Sequence, residues 1–242
     1  MSKHISDLIS SIGKISHHED IAQGGLDPQL ALLRVWQAER LARTYADLLE
    51  QPRYRPACLF FLEDIYAARD FSQRDHDLEA MYEFMRHFVP EAISRPAALT
   101  IQLHRMSEAL DRQLLEVLVK QLGVTDSITA EQYAEGYRRC NNYRERVEQI
   151  DAIMGICEYI DGIVRNPLSS PALSLASRPL RAAGYGEVVS FLERGYDSFK
   201  RMHGSRHFRK TLREREIGIL DRIYAYDLEP FRFEMSIAPA RE

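Results

Sequence analysis

Along this chain apolar residues recur at steps of three and four almost from end to end, and the alternation that a half-buried strand requires is absent. A helix repeats every 3.6 residues, so such spacing lines one face of a helix. The punctuation agrees with it. Asp27-Pro28 is an N-cap followed by proline at the first helical position, and Leu32, Leu33, Trp36, Leu41, Tyr45 and Leu48 carry that helix to about Glu50, before Gln51-Pro52 ends it. A further helix is predicted over about 56–68. Ser72-Gln-Arg-Asp75 has the form of a capping box and opens a helix that runs to Pro90. The next begins near Ala92 or Pro96 and reaches Leu122, where Gly123 closes it. Thr129-Ala-Glu-Gln132 is a second capping box, with Ile128 and Tyr133 as its hydrophobic staple, and predicts the longest helix, to about Arg165. Short helical pieces after Pro171 and Pro179, a helix over about 187–203 ended by Gly204, and one over about 206–226 complete the set.

The fold class that follows is all-α: a single bundle-like domain of roughly eight to nine helices, mostly antiparallel neighbours because the connections are short. The expected boundaries are residues 1–26 for an N-terminal amphipathic helix and linker, 27–226 for the helical domain, and 227–242 for a loose C-terminal tail. Ile5, Leu8, Ile9, Ile12 and Ile15 form the stripe of that first helix, which is expected to dock on the protein's own core. With 242 residues, the chain can bury a substantial interior. A formal net charge of −4 supplies no global field to draw nucleic acid or a membrane surface. No run approaches the roughly 18 apolar residues of a membrane span. Cys58, Cys140 and Cys157 form no CxxC pair, and they read as buried reduced thiols in a cytoplasmic protein.

Two regions carry candidate sites. The first is the apolar patch Leu59, Phe60, Phe61, Leu62, Ile65 and Tyr66, with Glu63 and Asp64 set inside it. Charge in apolar surroundings is costly unless paired. The seam of the long helix reads Tyr133, Tyr137, Cys140, Arg144, Val147, Ile150, Met154, Cys157, Asp161 and Val164, and Arg144 interrupts it as a cation. Arg144 is therefore expected to be buried against Asp64 or Glu63, as a structural ion pair or as the floor of a ligand pocket. The second region is Lys200–Arg215, the most basic stretch. A helix starts there beside Gly204, so Ser205, Arg206, His207, Arg209 and Lys210 form a candidate anion site. The opposing view is that this basic face docks on the acid-rich 63–79 segment. No catalytic constellation emerges: GxSxG, P-loop and GxGxxG patterns are absent, and His76…Glu79, Glu83…His87 and His104…Glu108 lack the Glu-x-x-His spacing of a di-iron bundle. No metal ligands are assigned, and the cofactor is left open.

At Phe60-Phe-Leu-Glu-Asp-Ile-Tyr66, Asp70-Phe-Ser-Gln-Arg-Asp75 and Phe191–Gly204 the chain resembles a family of proteobacterial soluble proteins of unknown function, over most of residues 28–226. That resemblance implies a bacterial, cytosolic helical protein and brings no catalytic residue with it. The functional expectation is a non-catalytic protein that binds a protein partner or a small ligand. The alternatives are a helical enzyme or sensor with a buried Glu/Asp/Arg pocket, and an anion or nucleic-acid binder acting through residues 200–215.

Overall fold

The computed structural model describes residues 27–67, 72–85 and 91–232. The helix and linker expected over residues 1–26 lie outside them. Within them stand ten α-helices, a single turn of π-helix and no strand. The helices are α1 (Pro28–Thr44), α2 (Ala46–Glu50), α3 (Arg55–Phe60), α4 (Ser72–Met85), α5 (Glu91–Lys120), α6 (Ala130–Cys140), α7 (Tyr143–Arg165), α8 (Ser169–Ala182), α9 (Gly186–Met202) and α10 (Arg206–Tyr224). The π turn, Phe61–Ile65, continues α3 and closes with Tyr66 N–H donating to the Phe61 carbonyl at 3.0 Å.

Local chemistry sets several of these ends. The Asp27 carboxylate accepts from the N–H groups of Gln29 and Leu30, at 3.0 and 3.1 Å. Thr129 and Gln132 make the reciprocal capping box that opens α6. Gly123 closes α5 with φ +65°. Arg53 gathers the carbonyls that end α9, donating to Met202 at 2.7 Å and to His203 at 3.3 Å.

Four boundaries differ from the periodic pattern. The helix expected over 27–50 is divided at Tyr45, the hinge residue between α1 and α2. The long helix expected over 129–165 is two helices, parted at Asn141, which adopts the left-handed conformation with φ 49°. The two short pieces expected after Pro171 and Pro179 are one helix, α8, with Pro179 inside it. The first part of the expected loose tail is docked: Phe231 meets Trp36 edge-on at 5.3 Å, and Arg222 holds the Pro230 carbonyl at 2.9 Å.

The largest apolar cluster joins Ala38 and Leu41 of α1, Leu48 and Leu49 of α2, Cys58 of α3, Met154 and Cys157 of α7, Phe199 and Met202 of α9, and Phe208 and Leu212 of α10. Burying a side chain of this size is worth about 1.5–3 kcal/mol, so this cluster ties both ends of the described chain to its middle. A second cluster packs Leu33 against Leu114, Leu118, Val124, Ile128 and Tyr133. At Gly136 a side chain would stand 2.8 Å from Leu114 Cδ1, so its absence lets α6 close onto α5. Gly195 does the same for α9, admitting the Phe60 ring to 3.1 Å of where a Cβ would lie.

Candidate functional site

α1, α5, α6, α7 and α10, with residues of α3, α4 and α9, line a partly open cavity of about 720 Å³. Its size falls within the range of small-molecule sites, roughly 300–1,000 Å³. Much of the wall is apolar, with Phe60, Phe61, Leu192, Ile153 and Ile160 among the lining residues. A polar cluster interrupts that wall, with contributions from the first five of these helices.

The cluster is built on two arginines and two acids. Arg40 of α1 donates to Glu216 of α10 at 2.5 Å, and the Tyr45 hydroxyl donates to the same carboxylate at 2.6 Å. Asp111 of α5 accepts from Gln37 at 3.2 Å, and Arg146 of α7 lies 3.5 Å from the same oxygen. Arg146 donates to the Leu110 carbonyl and to Gln149, each at 3.1 Å, and its guanidinium covers the Tyr137 ring at 4.6 Å. Gln149 in turn donates to Ser107 at 2.7 Å. The Tyr133 and Tyr137 hydroxyls share a 3.0 Å hydrogen bond, and the Tyr133 ring stacks on Trp36 at 3.8 Å.

Charges so placed alter one another. Burial pushes the Asp111 carboxyl above its usual range, and the Arg146 charge only partly offsets that. Burial also works against the charge on Arg40, but Glu216 beside it outweighs the penalty and holds the guanidinium firmly protonated. For Arg146 the same opposition is won by Tyr137 and Asp111. Desolvation raises Tyr45, Tyr66 and Tyr133, so these phenols stay neutral. Three buried polar atoms of the cluster have no hydrogen-bond partner: Arg40 Nε, Arg146 Nε and Gln37 Oε1. Such orphans are rare in folded proteins, because each costs about 1–3 kcal/mol.

The expected Arg144 pair is replaced by two separate arrangements. Arg144 projects into solvent with its side chain 89% exposed, 3.7 Å from Glu148 on its own helix. The arginine that turns inward is Arg146, 4% exposed. The left-handed residue at Asn141 ends α6 and α7 starts afresh at Tyr143, so the seam projected across the junction puts Arg144 where Arg146 turns inward. Two successive asparagines inside an otherwise helical pattern are the signal for that break, since asparagine tolerates the left-handed region. Asp64 is buried as expected, but its partner is Arg194 of α9, whose Nε donates to the carboxylate at 3.0 Å. Glu63 on the same turn is exposed.

The candidate anion site at Ser205 already holds a carboxylate of the chain itself. Ser205 is fully buried, and its N–H donates to Asp161 Oδ1 at 3.2 Å. Arg209 donates to the Ser205 hydroxyl at 3.2 Å and to Glu158 at 2.9 Å. Lys210 lies 3.7 Å from Glu214, while Arg206 and His207 are exposed. Arg213 meets Asp151, and Arg215 meets Asp47. These acids belong to α7, α10 and α2. The N-terminal end of α10 thus faces the chain's own Asp161, held by the N–H of the capping residue Ser205.

Among the described residues no group of three or more His, Cys, Asp or Glu is arranged to hold a metal ion. No helix among them is long and apolar enough to cross a membrane. Burial drives the thiols of Cys58 and Cys157 up to about 12, which removes them as nucleophiles.

The profile of a family described as a domain of unknown function (DUF8198) matches residues 16–230, and the chain belongs to that family. No curated protein and no solved structure matches it.

Proposed function

We propose that this member of the family is a binding protein for a small amphipathic molecule, taken into the cavity between α1, α5, α6, α7 and α10. The observation that carries the reading is the set of unpartnered buried atoms on cavity-lining residues: two arginine Nε donors and one amide oxygen. Their desolvation is a standing cost, and a ligand bearing both an acceptor and a donor offsets it. The apolar wall accommodates the rest of such a molecule.

Trp36 is the sole tryptophan and stacks on Tyr133 within the cluster, so its fluorescence reports on the site. Native mass spectrometry of the purified chain, together with titration by 1-decanol followed through Trp36 emission, tests the proposal. A retained small molecule or a saturable change in emission is expected. A chain that carries nothing and leaves Trp36 unmoved across the titration overturns the reading.

A further inference from the structure

We infer that the ligand's polar head is a carboxylate and that Arg146 receives it, so the ligand class is a monocarboxylic acid with an apolar body. The inference rests on the cavity reading above and deepens it.

The two buried arginines are not equally satisfied. Arg40 has an intimate counter-ion in Glu216, which Tyr45 also serves. Arg146 has none so close. Its hydrogen-bond acceptors are neutral, the Leu110 carbonyl and the Gln149 amide. The nearest carboxylate, Asp111, stands 3.5 Å away and already accepts from Gln37. Arg146 is thus a deeply buried cation whose carboxylate neighbour stands at the long end of hydrogen-bond distance and whose Nε–H is unused. A buried charge is costly to hold, and an anion at closer range lowers that cost. A carboxylate fits the guanidinium fork in shape as well as in charge, through two parallel N–H···O bonds.

The rest of the molecule meets Phe60, Phe61 and Leu192.

The test compares decanoate with 1-decanol, which share a chain and differ in the head, on the full chain by calorimetric titration and Trp36 emission. Decanoate is expected to bind about tenfold tighter or more, the worth of a charge-assisted hydrogen bond. Arg146→Met is expected to abolish that preference while decanol binding persists. Arg146→Lys keeps the charge without the fork, and is expected to fold and to retain only part of the preference. Equal binding of both probes by the wild type overturns the head-group inference and leaves the cavity reading standing. Binding of neither overturns both. A decanoate preference that survives Arg146→Lys and Arg146→Met undiminished assigns the carboxylate to another group and sinks the role given to Arg146.

Discussion

Arg144 and Arg146 stand two residues apart on α7, one in water and the other sealed among Tyr137, Leu110 and Asp111. Removing the exposed one forfeits a 3.7 Å contact with Glu148 that solvent screens. Removing the buried one strands Asp111 and leaves the Leu110 carbonyl without its donor. Arg146→Met should therefore cost about 3 kcal/mol, while Arg144→Met stays within about 0.5 kcal/mol. Urea denaturation of the two variants checks the contrast, and equal losses would contradict the placement of both. Asp111 makes its own prediction. Burial raises its folded pKa above the unfolded value. Between the two values the native state keeps a proton that the unfolded chain has released, so stability falls as pH rises through that window. Asp111→Asn retains an acceptor for Gln37 and removes the proton. From about pH 4, the ordinary aspartate value, upward, the wild type should lose stability relative to the variant. Denaturation curves at stepped pH measure this, and a difference that does not change with pH would remove Asp111 from the titrating groups.

The division between α6 and α7 rests on one residue, Asn141, with φ 49°. Glycine takes that conformation without strain and alanine pays about 1–2 kcal/mol for it. Asn141→Ala should lower stability by about 1 kcal/mol and Asn141→Gly should be close to neutral, both read from thermal unfolding. The break also explains which elements can be read from the chain alone. Caps are local events, so Asp27 and the Thr129–Gln132 box stand in the right places, and helical periodicity finds almost every helix. A phase reset is equally local but costs only one residue, too little to disturb the apolar count of a window. The seam from Ile150 to Val164 is thus correctly predicted while Arg144 is not. Tyr45 escapes notice for the same reason. The π turn at 61–65 has no pattern of its own; its fifth-residue hydrogen bond forms where tertiary packing holds Asp64 against Arg194. The cavity is least legible of all. Gln37, Asp111 and Glu216 are ordinary polar residues on amphipathic helices, and only assembly brings them to one place.

For the molecule as a whole, the cavity makes folding and binding one equilibrium. A ligand that contacts five helices binds the native chain and not the unfolded one. At a hundred times its Kd, decanoate should add about 2.7 kcal/mol, which raises the Tm by roughly 5–11 °C for a domain of this size. Differential scanning fluorimetry with increasing decanoate measures the rise, and an unchanged Tm at saturation would mean that the probe does not enter the native interior. The Arg40–Glu216 pair, meanwhile, carries a consequence for how the protein is made. Its two residues are separated by 176 positions. At ribosomal speeds of about 5–20 residues per second, roughly 9–35 s pass between the synthesis of Arg40 and that of Glu216. Throughout that interval Arg40 and Tyr45 exist before their shared acceptor has been made. The polar centre of this protein can therefore be assembled only after Glu216 has been made, long after the helix that carries Arg40.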